Sequence, residues 1–144
     1  SLYRLAFSIT RNSSDAQEAV AEAVCRAYER YPQLREKEKL PRWLLKITAN
    51  EARRLCQRRG RTVSLDDLPT EPAIPGRETG DDTLWQAVQT LPQDQREAVV
   101  LFYYEDLPPE EIARIVGTSP GAVRVRLSRA REKLRSILKE GDYG

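Results

Sequence analysis

The side chains with the most chemistry to offer are arginines. From Leu107 to Leu138 the chain reads LPPEEIARIVGTSPGAVRVRLSRAREKLRSIL. Val123, Leu127, Ala130, Leu134 and Leu138 recur at helical spacing, and Arg124, Arg126, Arg129, Arg131, Lys133 and Arg135 fill the remaining face. A guanidinium is a planar fork that can bond two acceptors at once, which suits guanine edges and phosphate oxygens. A second cationic set lies earlier, in the loop QLREKEKL over 33–40 and in RWLLKITANEARRLCQRR after Pro41. The ordinary chemistry of catalysis is missing. There is no histidine, no glycine-rich phosphate loop and no nucleophile beside a base. Asp66-Asp67, Asp81-Asp82 and Glu110-Glu111 fall in a linker, at a cap and at a helix start, where simpler reasons suffice. Cys25 and Cys56 lack CxxC spacing and read as small apolar residues of a reducing compartment. No catalytic residue, metal or cofactor is expected.

The arginine face needs a helix to carry it, and that helix needs a start. Pro108 and Pro109 open a short helix whose Glu110 and Glu111 meet the positive end of its dipole. Gly117 closes it, and Thr118 or Ser119 caps the next helix, with Pro120 in its first turn. Two helices around a glycine corner, the second basic, form a helix-turn-helix pattern. Upstream, helices are predicted over Asp82 to about Pro92, marked by Leu84, Trp85, Val88 and Leu91, and over Gln95–Tyr104, packing through Ala98, Val99, Leu101, Phe102 and Tyr103.

The first part of the chain predicts three more helices. Leu2–Thr10 packs through Leu2, Leu5, Ala6 and Ile9. Asp15–Tyr31, capped by Ser14 or Asp15, lines one side with Ala19, Val20, Ala23, Val24, Ala27, Tyr28 and Tyr31. Arg42–Arg59, opened by Pro41, packs through Trp43, Leu44, Ile47, Ala52 and Leu55. Between the halves, Gly60 to about Asp81 holds Pro69, Pro72, Pro75, Gly76 and Gly80 without periodicity; its SLDDLP segment is one helical turn at most. The reading is all-α: two small helical domains, 1–61 and 82–144, on a flexible linker, 62–81.

Charge follows the same division. Residues 1–61 carry fourteen Lys or Arg against seven acids, 62–118 three against twelve, and 119–144 seven against three. The blocks of +7, −9 and +4 make up the net charge of +2. Two basic blocks around an acidic one suggest two nucleic-acid contacts. No apolar run is long enough for a membrane span, so no membrane insertion is expected. Opening on Ser1 without a methionine anywhere, the chain reads as starting inside a longer natural protein, with a leader left open.

With both halves laid out, the chain resembles a sigma-70 family transcription initiation factor of the extracytoplasmic-function group. LYRLA at Leu2–Ala6, DAQEAVAEAVCRAY at Asp15–Tyr28, LPRWLLKITANEARRLCQRR at Leu40–Arg59 and LPQDQREAVVLFYYEDLPPEEIARIVGTSPGAVRVRLSRAREKL at Leu91–Leu134 carry the likeness. Departures include Pro41, Thr48 and Arg54 in the third segment and Ala21 in the second. The resemblance implies a cytoplasmic protein that binds core RNA polymerase and reads promoter DNA. It implies that 1–61 is region 2, binding core and the melted minus-10 strand, and that 82–144 is region 4, reading minus-35 duplex.

On that resemblance Arg124, Val125, Ser128 and Arg129 read minus-35 bases, and Ser119, Arg126 and Arg131 hold phosphates. Leu34, Arg35, Lys37, Lys39, Trp43, Lys46, Asn50, Arg53 and Arg54 form the minus-10 set. A mid-helix asparagine such as Asn50 has no propensity reason to be there, whereas Trp43 also reads as core. Gln17, Glu18, Glu22, Arg26 and Glu29 are the expected polymerase contacts; a solvated charged face is the alternative. An anti-sigma factor that covers the polymerase-binding faces is implied as a further partner. Two other classes remain open from the residues. A conventional dimeric helix-turn-helix regulator leaves RWLLKITAN unexplained, and a helical interaction protein predicts sequence-blind, salt-sensitive DNA binding.

Overall fold

The structure is a computed structural model and describes residues 1–59 and 82–143. The linker, its SLDDLP segment and the Asp81 cap lie outside the described residues. Among the described residues seven α-helices follow one another: α1 (Leu2–Thr10), α2 (Ser13–Arg30), α3 (Leu40–Arg58), α4 (Asp82–Gln89), α5 (Gln93–Val99), α6 (Pro109–Val116) and α7 (Pro120–Tyr143). Among the described residues there is no strand.

The first three helices pack on one another. Arg11 adopts a left-handed conformation (φ 55°) and returns its N–H to the Phe7 carbonyl, ending α1. The chain then extends at Asn12, whose Oδ1 accepts from the Asp15 N–H at 2.9 Å. The cap of α2 is therefore Asn12, not Ser14 or Asp15. Alanines 16, 19, 23 and 27 form the buried stripe of α2, and their size lets α1 and α3 approach closely. Val20 is half-buried, whereas Val24, Tyr28 and Tyr31, expected to pack, are exposed because the alanine stripe takes the core side. On α3 the buried arc is wider than foreseen. Leu45, Ile47, Ala49, Ala52 and Leu55 are buried and Trp43 and Leu44 half-buried, because α6 packs on α3 as well as α1 and α2.

The predicted helix over 95–104 is two elements. After α5 the backbone widens into a π-turn, Val100–Tyr104. The extra residue in that turn shifts the helical register, and Val100 is fully buried while Tyr103 stands exposed. Gly117 ends α6 at φ 81°, with the Gly117 and Thr118 N–H groups both reaching the Ala113 carbonyl, at 2.8 and 3.1 Å. Ser119 then caps α7, its Oγ accepting from the Ala122 N–H at 3.1 Å. No atom lies within 4 Å of a Cβ built on Gly117, so Gly117→Ala meets only the backbone cost of a left-handed residue. Chemical denaturation is expected to show a loss of about 1 kcal/mol.

The two halves do not stand apart. Leu5, Phe7 and Ala49 of the first half belong to the same buried cluster as Trp85, Leu91, Ile112 and Leu127 of the second. Phe7 and Trp85 have ring centroids 6.4 Å apart, and the Arg4 guanidinium lies 4.9 Å over the Tyr104 ring. At the centre is Arg96, only 3 % exposed, a burial that an arginine on a predicted amphipathic helix did not advertise. Its Nε donates to the Ser8 carbonyl and its Nη1 to the Leu91 carbonyl, both at 2.6 Å. Each carbonyl lies near the C-terminal end of a helix, α1 or α4, where acceptors lack intrahelical partners and a cation is favoured. Burial, with Arg11 adding repulsion, pushes the Arg96 guanidinium down to about 10, against the pull of Glu97 and Asp94. It is still a cation at neutral pH. The folded chain releases that proton before the unfolded chain does, so the titration of Arg96 leaves stability unchanged below about pH 10 and raises it as pH climbs past that value.

Candidate nucleic-acid interfaces

The recognition helix presents its expected readers to solvent. Arg124, Val125, Ser128 and Arg129 are all exposed, on the face opposite the buried Val123, Leu127, Ala130 and Leu134. Val125 is an apolar side chain 47 % exposed, which suits contact with a thymine methyl. Arg124 is not idle in the chain alone: its Nη2 donates to Glu110 at 2.7 Å. Arg126 and Arg131 flank the reader face. Arg126 lies 3.7 Å from Asp94, and the Arg131 Nε donates to the Tyr103 hydroxyl at 2.9 Å while its guanidinium lies 5.8 Å from the Phe102 ring centroid. Ser119, placed among the phosphate contacts, is engaged as the cap of α7.

The second basic surface is built on the start of α3 and the turns before it. Two 3₁₀ turns, Tyr31–Gln33 and Lys37–Lys39, replace the open loop of the sequence reading. Lys37 fastens them: its Nζ donates to the Tyr31 and Leu34 carbonyls, both at 2.9 Å, and lies 3.9 Å from the Tyr31 ring centroid. Lys37 thus shapes the loop instead of presenting a free ammonium. Arg35 is exposed, Lys39 pairs with Glu36 at 3.0 Å, and Lys46 and Asn50 are exposed on the same face of α3 as Trp43. Arg53 and Arg54, read as a phosphate track, are already paired. Arg53 meets the buried Glu97 of α5 at 2.7 Å, and Arg54 meets Glu51 at 2.9 Å.

Helix α6 lies against this surface. Leu34, Lys39, Arg42, Trp43 and Lys46 from one side and Glu111, Arg114 and Ile115 from the other line a cleft of about 190 Å³. Glu111 takes Arg42 at 3.3 Å and Arg114 at 3.4 Å. Arg42, in the first turn of α3, escaped the sequence reading; it follows Pro41 directly, and its charge beside Lys39 was the available signal.

On α2 the expected partner-facing residues divide. Gln17, Glu18, Glu22 and Glu29 are exposed. Arg26 is half-buried and pairs with Glu51, and Glu18 lies 3.6 Å from Arg59. The exposed Val24 and Tyr28 lie on the same helix, so its outer surface is apolar as well as acidic. In the second half, Leu84, Val99, Tyr103, Leu134 and Leu138 line an apolar groove of about 270 Å³, rimmed by Arg131 and Arg135. The π-turn opens it by exposing Tyr103, which the helical repeat alone could not foretell. Cys25 is exposed and Cys56 half-buried; burial, then Asp15, pushes the Cys56 thiol up. Among the described residues, no metal-binding cluster is found and no helix is long and apolar enough to cross a membrane.

Residues 1–62 match the family model of sigma-70 region 2, and residues 81–134 that of sigma-70 region 4. RNA polymerase sigma factor SigV of Bacillus subtilis is 32% identical over 142 residues, covering 97% of this chain and 86% of its own length. ECF RNA polymerase sigma factor EcfG of Rhodopseudomonas palustris is 32% identical over 143 residues, covering 96% and 79%. Among solved structures, the sigma factor RpoE of Bartonella quintana, in complex with the anti-sigma factor NepR, superposes with a TM-score of 0.76 at 30% identity, covering 96% of this chain and 89% of that one.

Proposed function

The chain belongs to the sigma-70 family of RNA polymerase sigma factors, and from that premise we propose how its residues divide the work of starting transcription. The family directs core RNA polymerase to promoters, and this chain carries both of the regions that do so. In our reading region 2 is residues 1–61, region 4 is residues 82–144, and 62–81 connect them.

Arg124 and Arg129 bond guanine edges in the minus-35 major groove, while Val125 and Ser128 contact neighbouring bases. Arg126 and Arg131, flanking that face, hold phosphates once released from Asp94 and Tyr103. In region 2, Leu34, Arg35, Lys39, Trp43, Lys46 and Asn50 receive the melted minus-10 strand, with Trp43 as the wall against which an unstacked base lies. Lys37 holds the loop in shape, and Arg42 joins the set. Arg53 and Arg54 reach phosphates only after leaving Glu97 and Glu51. The exposed Gln17, Glu18, Glu22 and Glu29 of α2, with Val24 and Tyr28, meet the polymerase. The apolar groove beneath Tyr103 takes a second polymerase segment.

The observation that carries this reading is the pairing of a solvent-facing recognition helix with a separate aromatic-and-basic cleft on α3. The two surfaces serve elements about 25 base pairs apart, or roughly 85 Å of duplex. A folded chain of this length is about 40 Å across when docked. Regions 2 and 4 must therefore part on a promoter, and the intervening 20 residues of sequence can span about 70 Å when extended. The contacts from Arg53 to Glu97, from Arg42 to Glu111 and from Arg96 to the Ser8 carbonyl are among those that opening breaks.

An anti-sigma protein is a fitting partner for the docked arrangement, since the solved relative that superposes over nearly the whole chain is held by one. The chain acts in the cytoplasm, where the polymerase is, and contributes no bond-making step; that chemistry is the polymerase's. The test is run-off transcription by core polymerase from the upstream region of the chain's own gene. A discrete transcript is expected only when the chain is present. DNA binding at low salt without polymerase association or transcript would identify an ordinary DNA-binding regulator instead.

A further inference from the structure

Two adjacent carboxylates open α6, and they do different things. Glu111 turns toward region 2 and pairs with Arg42, its side chain 19% exposed. Glu110 turns outward, 56% exposed, and takes the Arg124 guanidinium at 2.7 Å across the helix-turn-helix. Both ends of this second pair stand on rigid backbone. Glu110 follows Pro109, the proline that opens α6, and Ile112 anchors the same turn in the core. Arg124 follows the fully buried Val123 of α7.

As a stabilising contact such a pair is worth little. Both side chains are more than half exposed, and solvent screens their attraction. Its value lies in what it does to the arginine. A free arginine side chain loses considerable rotamer freedom when it docks on a base, and one already held by a carboxylate has lost part of it beforehand. The bond to Glu110 uses one of five N–H donors, leaving enough for a two-bond contact with guanine O6 and N7.

We propose that Glu110 is a positioning residue for minus-35 recognition: its carboxylate fixes the Arg124 guanidinium, so that this arginine selects guanine instead of settling on the nearest phosphate. The inference rests on Arg124 as a base reader. It gives Glu110 two effects of opposite sign. Its charge weakens attraction to any duplex, and its grip on Arg124 sharpens choice among duplexes.

The test is transcription by holoenzyme from a promoter library randomised at minus-35, with the base preference at each position read from the transcripts. Arg124→Ala is expected to flatten one position. Glu110→Ala should flatten the same position by about five-fold and leave the others unchanged. Glu110→Gln, which still accepts a hydrogen bond, should restore most of the preference. In the Arg124→Ala background Glu110→Ala should add nothing, while binding to random duplex rises roughly two-fold. A profile that Glu110→Ala leaves untouched, although Arg124→Ala flattens it, overturns the positioning role alone. Equal loss at every position also overturns it, by marking Glu110 as merely structural. If Arg124→Ala flattens nothing, the assignment of Arg124 as a reader falls, and Glu110's role falls with it.

Discussion

Arg96→Met is expected to lower the thermal midpoint of the free chain by about 10 °C, an effect on the order of 3 kcal/mol. The substitution keeps an unbranched side chain of similar reach, so packing is largely retained. What disappears is the pair of 2.6 Å bonds to the Ser8 and Leu91 carbonyls. A buried acceptor left without a donor costs its full desolvation penalty, about 1–3 kcal/mol each, which exceeds what an exposed salt bridge contributes. Arg96→Lys should recover only part of the loss, since one ammonium cannot reach both carbonyls in the geometry of the planar fork. Scanning calorimetry of the full chain checks both. A midpoint unmoved by Arg96→Met would mean that the docked arrangement contributes nothing to the stability of the free chain. Between pH 6 and 9 the size of the difference should stay constant, because Arg96, at about 10, remains charged in both folded and unfolded chains.

Arg124→Ala is expected to reduce selective transcription by about 5- to 150-fold, the 1–3 kcal/mol of one bidentate guanine contact. The exposed position of Arg124 on α7 means that its removal leaves the fold intact, unlike Arg96. The loss should be confined to templates carrying the preferred minus-35 base. On templates altered at that position wild type and variant should perform alike, which separates lost recognition from lost polymerase binding. Arg126→Ala, at a flanking phosphate position, should weaken all templates about equally and make binding less sensitive to salt. Run-off transcription on paired templates distinguishes the two patterns. Uniform loss with Arg124→Ala would make it a phosphate contact.

Much of this was legible in the sequence, for reasons that are local. The helix-turn-helix is written in short-range signals: prolines at a helix start, Gly117 at φ 81°, Ser119 as the cap, and a strict apolar repeat from Val123 to Leu134. Each depends on residues within one turn of it. The readers on α7 follow directly, since a helix that buries one face must expose the other. Three things were not legible, two of them because they depend on residues far along the chain. Arg96 looks like one more surface arginine until the end of α1 is placed beside it, 88 residues away in sequence. Arg53 looks like a phosphate contact until Glu97 is found 44 residues on. The π-turn at Val100–Tyr104 breaks the helical repeat without a proline or glycine to announce it. On α2, hydrophobicity alone places Val24 and Tyr28 in the core, yet both are exposed. The alanines won that side because small residues permit closer helix approach, and the larger apolar groups were left outside.

The docked free chain and the distance between promoter elements set the most direct test. Fluorescence transfer between dyes on Ser14→Cys and Ser136→Cys, both exposed positions, reports the separation of regions 2 and 4, with Cys25 and Cys56 replaced by serine and alanine. In the free chain transfer is expected to be high, for a molecule about 40 Å across. In holoenzyme on a promoter that yields transcript it should fall nearly to zero, as region 2 and region 4 occupy elements roughly 85 Å apart. High transfer retained in a transcribing complex would contradict the account, because a docked chain cannot hold both elements at once.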